Sequence, residues 1–141
     1  MIILDTNVVS ELMCPATDAR VLRWVRESGD AELATTSITV AEIEYGLARL
    51  PDGARADALR AAAAALWESF PAAILPFDAA AARHYGALMA ARERAGRPTS
   101  AFDAQIAAIA KAHKAKVATR NGADFQGMGL RLIDPWAIAR G

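Results

Sequence analysis

Apolar and polar positions along the chain fall into blocks whose period keeps changing. Ile2, Ile3 and Leu4 form an unbroken run of β-prone apolar residues, as in a strand buried on both faces, and the run ends on the carboxylate of Asp5. "TNVVSELM" then predicts a short helix stopped by Pro15, and "ATDARVLRWVRES" a second helix ended by Gly29. "ELATTS" predicts a second strand. In "TVAEIEYGLARL", Val40, Ile43, Leu47 and Leu50 recur at helical spacing until Pro51 and Gly53 break the pattern.

The alanine-rich "ADALRAAAAALWESF" predicts a further helix that needs no function to explain it, because alanine is the best helix former. "AILPF" predicts a third strand, and Asp78 is placed to cap the helix "AAAARHYGALMAARERAG". "SAFDAQIAAIAKAHKA" predicts the next helix, with Phe102, Ile106, Ile109 and His113 along one side. "KVAT" predicts a fourth strand, and "LRLI", ahead of Asp134 and Pro135, a fifth.

Strands alternating with helices over short connections indicate an α/β fold whose mostly parallel sheet lies between helices. At 141 residues, residues 1–141 are expected to form one domain. Apolar runs stay well short of a membrane span and the N-terminus has no signal-peptide pattern, so the expected location is cytoplasmic. The single cysteine, Cys14, forms no internal disulfide and reads as a small half-buried thiol.

Sixteen basic residues balance sixteen acidic ones, so any nucleic-acid contact must be local. Basic residues gather in "RERAGR" (Arg92, Arg94, Arg97) and "KAHKAK" (Lys111, Lys114, Lys116), both of which read first as solvated helix faces.

Ligands of parallel α/β sheets gather outside the carboxyl ends of the strands. Asp5 lies there, Glu42 follows the second strand by one helical turn, and Asp124 follows the fourth by a short loop. Asp103, in the first turn of its helix, sits near the edge of the apolar stripe. Each acid also has a plain structural reading. Asp5 can cap a helix, Glu42 after Thr39 and Asp103 after Ser100 have capping-box spacing, and Asp124 fits a turn opened by Asn121 and Gly122.

Taken together, the four should converge at one end of the layers. Two like charges about 4 Å apart repel by ~4 kcal/mol at an effective dielectric of roughly 20. No set of lysines or arginines flanks all four, although Arg120 is close enough in sequence to reach one. A hard divalent cation, Mg²⁺ or Mn²⁺, is the economical neutraliser, and its waters are potential nucleophiles. Zinc fits less well. His84 and His113 lie inside helical patterns without metal-ligand spacing and read as structural. Walker, GxGxxG and GxSxG motifs are absent from the sequence.

The segments "MIILDTNVVSEL", "TSITVAEIEYGLARL", "FDAQIAAIA" and "VATRNGADFQGMGLRLIDPW" together resemble PIN-domain ribonucleases, specifically the VapC-type toxins of toxin–antitoxin modules and their FitB-like subgroup. The resemblance spans nearly the whole chain. It implies a three-layer α/β/α sandwich with a mostly parallel sheet of four to five strands, and Mg²⁺- or Mn²⁺-dependent endoribonuclease activity that leaves a 5′-phosphate and a 3′-hydroxyl. It maps an acidic quartet onto Asp5, Glu42, Asp103 and Asp124 as metal ligands.

The same resemblance assigns supporting polar positions to Asn7, Ser37, Thr119 and Asn121. Gly122 in "NGAD" is the loosest match and bears on whether Asp124 meets metal directly or through water. Arg120, with Arg97 and Lys116, is the set expected to steady an RNA backbone. The implied partners are a small DNA-binding antitoxin, with DNA reached only through it, and a second copy of the chain; no membrane is implied. Trp24, Leu47, Trp67 and Trp136 are candidates for an antitoxin groove, with core packing the first reading of most.

Three rival readings remain. A haloacid-dehalogenase-type enzyme needs a second aspartate where this chain has Asn7. A receiver-like Mg²⁺ switch needs an acidic neighbour for Asp5, with Asp78 as phosphoacceptor. A PIN fold kept as a binding scaffold would have no need of the acids.

Overall fold

The computed structural model describes residues 1–29, 31–69 and 74–137. Five parallel strands, β1 (Ile2–Leu4), β2 (Leu33–Thr36), β3 (Ile74–Leu75), β4 (Lys116–Ala118) and β5 (Leu132–Ile133), lie in the order β3-β2-β1-β4-β5. Six helices join them: α1 (Thr6–Met13), α2 (Ala19–Glu27), α3 (Ser37–Ala48), α4 (Ala54–Ser69), α5 (Ala79–Arg94) and α6 (Ala101–His113). A short 3₁₀ turn, Gly122–Phe125, follows β4. β1 is central. From it the chain builds outward through β2 and β3 on one side, and later through β4 and β5 on the other, so the strand order reverses between β1 and β4. A crevice at such a reversal is where ligands bind in open α/β sheets.

Because side chains alternate across a strand, β1 feeds both faces of the sheet. Ile3, Ala34 and Val117 point into a core with Leu88 of α5 and Ile106 and Ile109 of α6. Ile2, Leu4, Leu33 and Ala118 point into a second core with Val8 and Val9 of α1, Val21 of α2, Ile43 and Leu47 of α3, and Ala63 of α4. The result is the expected three-layer sandwich. β1 and β2 are buried along their whole length, which explains the unbroken apolar run of β1; in β2 the buried Thr35 hydroxyl donates to the Leu4 carbonyl at 3.0 Å.

Three expectations need correction. α2 begins at Ala19, three residues later than its pattern suggests, because Asp18 caps it by accepting the Arg20 amide. β3 is only two residues long; Ala73, expected in that strand, and Phe70, expected in α4, lie outside the described residues. The buried stripe of α6 runs through Ala104, Ile106, Ala107, Ala108, Ile109 and Ala110, while Phe102 and His113 are exposed. Small alanines let α6 approach the sheet closely, so the two bulky ends are not needed there. His84 is exposed as well, and Cys14 is exposed rather than half-buried.

The two ends of this stripe give a direct contrast. Ile106→Ala should cost about 2–5 kcal/mol in urea unfolding, whereas Phe102→Ala should stay within ~0.5 kcal/mol. Equal losses would place the core on the wrong face of α6.

Candidate active site

Asp5 is the first residue past β1 and caps α1, its Oδ1 accepting the Thr6 amide at 2.8 Å. Its Oδ2 accepts the Thr119 hydroxyl at 2.8 Å and the Asn7 side-chain amide at 3.3 Å. Thr119 follows β4, so the reversal point of the sheet joins two residues 114 positions apart. The Thr119 hydroxyl also accepts from Asn7 Nδ2 at 3.2 Å and from the Asn121 amide at 3.1 Å. Both lone pairs of that oxygen are then used, and its one proton has to point at Asp5. Asn7 is oriented in turn, its Oδ1 accepting the Arg120 amide at 3.1 Å. An ionised carboxylate offers roughly four acceptor positions. With three hydrogen bonds in place, Asp5 keeps about one free direction.

A second hydroxyl chain aims Glu42. Thr6 Oγ1 donates to Glu42 Oε1 at 2.9 Å and lies 3.1 Å from Thr39 Oγ1, which lies 3.4 Å from Thr36 Oγ1. Since the Thr6 proton goes to the carboxylate, Thr39 donates to Thr6, and Thr36 to Thr39. Thr36, not Thr39, caps α3, its hydroxyl accepting the Thr39 amide at 3.1 Å. The capping-box reading of Glu42 therefore fails, and its side chain is left for the crevice. For Asp103 the cap is as expected, with Ser100 Oγ accepting its amide at 3.1 Å.

Asp124 is exposed in the 3₁₀ turn, its amide donating to the Asn121 carbonyl at 3.0 Å and its carbonyl accepting the Thr99 hydroxyl at 3.2 Å. Arg92 straps this turn from α5. It is 5% exposed, and its Nη1 donates to the Ala123 carbonyl at 3.1 Å and to the Gln126 carbonyl at 2.7 Å. The basic segment around it was read as solvated, but Arg92 shares the buried face of α5 with Ala81 and Leu88. That helical spacing is the signal a closer reading of the sequence would have caught. Thr6 and Thr39, which orient Glu42, also escaped the sequence reading.

Electrostatics ties the acids together. Burial raises the Asp5 carboxyl above its ordinary value, against the pull of the Thr119 hydroxyl and Thr6 amide, and the charges of Glu42 and Asp124 push the same way as burial. Glu42 is raised by burial and by Asp103, with the Thr6 hydroxyl opposing. Asp103 is raised by burial first, then by Asp5 and Asp124, with Ser100 and Arg92 opposing. Among the described residues the ion pairs are Arg20–Asp18 and Arg60–Asp57, and neither involves these acids.

The cluster is an open one. Among the described residues, no three carboxylates, imidazoles or thiols stand near enough together to make a ready metal cage. Such a set of hard oxygen donors fits Mg²⁺ or Mn²⁺ that keeps part of its water shell, rather than an ion needing a closed protein cage.

The remaining candidates scatter. Ser37 Oγ accepts the Phe77 amide at 3.3 Å and so ties α3 to the loop after β3. Arg97 donates to Gln126 Oε1 at 3.0 Å, beside the turn carrying Asp124. The Arg120 guanidinium lies over the Trp136 ring at 4.9 Å instead of pairing with an acid. Lys116 opens β4, at the amino edge of the sheet, across the layer from the acids. Of the groove candidates, Leu47 lines an apolar groove of about 330 Å³ that also includes Thr6 and Glu42. Trp24, Trp67 and Trp136 pack against the second core. Asp78 is a helix cap, its Oδ1 accepting the Ala81 amide at 3.0 Å.

The sequence matches the PIN domain family over residues 2–129. The chain is a PIN domain. It is 41% identical to "VapC ribonuclease Y4jK" of Sinorhizobium fredii over 99% of this chain and all of that protein. It is 34% identical to "Toxin FitB" of Neisseria gonorrhoeae, covering 96% of this chain and 99% of that one. Among solved structures, FitAB bound to a DNA fragment contains a chain with a TM-score of 0.89 at 33% identity, with 99% of each chain covered. This PIN domain therefore stands with the VapC and FitB toxins.

The raised carboxyl of Asp5 sets a sign for stability. A folded-state value above the ordinary 3.8 contributes stability that is complete below 3.8 and is lost as pH rises through the folded value. Asparagine caps helices as well as aspartate does. In EDTA at pH 7, Asp5→Asn should therefore raise Tm, and the advantage should shrink as pH falls into the carboxylate range. A lower Tm for the variant at pH 7 would contradict the reading. For the strap, Arg92→Met should cost about 1–3 kcal/mol and speed amide exchange in residues 122–127; unchanged exchange there would remove Arg92 from that role.

Proposed function

We propose that this PIN domain, spanning residues 1–141, is the Mg²⁺- or Mn²⁺-dependent endoribonuclease toxin of a toxin–antitoxin pair. What supports the proposal is that Asp5, Glu42 and Asp103 are each pushed upward by burial and by the charge of another acid of the group, beside the strand-order reversal, with no cation paired to them among the described residues. Asp5, Glu42 and Asp103 would hold the ion, with Asp124 adding its charge directly or through water. When bound, the ion acidifies the attacking water and neutralises charge on the phosphate oxygens.

The chain's own groups do the positioning. Thr119 and Asn7 fix the Asp5 carboxylate in one rotamer, which keeps the hard-oxygen set preorganised. Thr6 occupies Glu42 Oε1, leaving Oε2 free to join Asp5 and Asp103 in holding the ion. The Arg92 strap holds Asp124 at the rim, and Arg97, beside the same turn, and Arg120 supply positive charge for the RNA backbone. The products expected are a 5′-phosphate and a 3′-hydroxyl.

A partner follows from the likeness to FitAB. The expected partner is a small DNA-binding antitoxin, with DNA reached only through it, and a second copy of the chain is the expected toxin mate. The groove between α1, α3 and α4, lined by Met13, Ile43, Leu47, Leu50 and Leu59 and ending at Glu42, suits an apolar segment of that antitoxin.

Incubated with single-stranded RNA and Mn²⁺, the purified protein should cleave, and EDTA should abolish cleavage; equal cleavage in both would sink the metal-dependent reading. Thr119→Val should reduce cleavage about 10–100-fold, with Thr119→Ser keeping most of it. Asp103→Asn should no longer arrest growth when expressed without antitoxin, and a fully toxic variant would break the link between the acids and toxicity.

A further inference from the structure

A second pocket lies at the amino edge of the sheet. It has a volume of about 460 Å³, and Lys111, Lys114, Lys116 and Arg131 contribute to its lining with the backbone of Gly129. No carboxylate is among the described residues that line it. In a chain with zero formal net charge, four cations around one concavity amount to a segregated positive field, and a cavity focuses such a field.

Two details of the backbone favour charge here over comfort. Lys114 ends α6 with φ 52° and ψ 39°, a left-handed conformation that glycine adopts without steric cost and lysine does not. Gly129, at φ +70°, lets Lys111 approach so closely that its Nζ donates to the Gly129 carbonyl at 3.2 Å. A Cβ on Gly129 would sit 2.5 Å from that Nζ. Neither feature serves the acids, which lie past the opposite ends of β1 and β4.

We infer that this pocket binds phosphate groups of the RNA backbone, away from the scissile bond. The inference rests on the ribonuclease reading above, and it extends the RNA footprint around the molecule. Among the described residues no aromatic side chain lines the pocket to stack a base, so the contacts are to phosphate and carry no sequence preference. Asp103 and Lys114 stand at opposite ends of α6, about 16 Å apart along the axis at roughly 1.5 Å per residue. That is less than one ~34 Å turn of a duplex. A folded RNA engaged at the acids therefore has backbone within reach of the pocket, whereas a short oligonucleotide of three or four residues, at roughly 3.4 Å per nucleotide, does not.

The test compares the wild type with the double variant Lys114→Gly and Arg131→Gln, leaving Lys111 in its carbonyl contact and Lys116 in place. Binding to a fluorescent RNA hairpin is measured in EDTA, where no cleavage is needed, across a salt series. The variant should bind about tenfold more weakly, and its log–log salt slope should shrink by about 2. Its Tm should not fall, because glycine relieves position 114, and its cleavage of a short unstructured oligonucleotide with Mn²⁺ should match the wild type.

Unchanged hairpin affinity and slope would overturn the inference. So would inorganic phosphate raising the Tm of the wild type but not of the variant while hairpin binding stays the same, which would make the pocket a free-phosphate site. Weakened hairpin binding in a protein that cleaves no RNA at all would leave the pocket standing and remove the nuclease reading instead.

Discussion

The Asp5 carboxylate is 4% exposed, accepts three hydrogen bonds and pairs with no cation among the described residues. The rest of the carboxyl edge depends on how that is possible. A buried carboxylate without partners would simply take up a proton. Here, oriented N–H and O–H groups hold the side chain still without cancelling its charge. Each of them is fixed by something else: Thr119 by the Asn121 amide, Asn7 by the Arg120 amide, and the Thr6 amide by its place in the first turn of α1. The negative charge is thus fixed in place by dipoles that leave it available.

The fold explains why this assembly sits where it does. β1 is the only described strand flanked by both halves of the sheet, so its carboxyl end meets the loops after β2 and β4 at once. Glu42 comes in on the helix after β2, and Thr119 follows β4. α6 brings Asp103 from the layer covering the other face. The two apolar cores on either side bear the cost of keeping mutually repelling acids close, because the strands that present them are locked by burial.

Much of this was legible in the residues. The apolar run Ile2–Leu4 ending on Asp5, the caps at Asp78 and Ser100, and the alternation of strands and helices carried the layer architecture. What stayed hidden depended on contacts distant in sequence. The stripe on α6 was drawn through the bulky Phe102 and His113, when the close approach to the sheet is made by alanines. Arg92 looked like one more solvated cation because its two carbonyl partners lie 31 and 34 residues away. Lys116 seemed near the acids because it precedes Thr119 by three residues, yet one short strand is enough to carry it across the sheet. The capping-box spacing of Glu42 was real in the string, but Thr36 had already taken the cap.

The bond between Thr119 and Asp5 closes a loop of 114 residues. The carboxylate emerges near the beginning of synthesis, while the hydroxyl that aims it, the turn bearing Asp124 and the Arg92 strap reach it only when β4 and the segment after it have been added. During translation the first strand waits in the middle of an unfinished sheet. A chain stopped anywhere before β4 contains at most three of the acids and lacks the Thr119 hydroxyl that orients Asp5. The hydrogen-bonded frame around Asp5 therefore forms late and all at once, after most of the polypeptide has left the ribosome, so products cut short before β4 lack it.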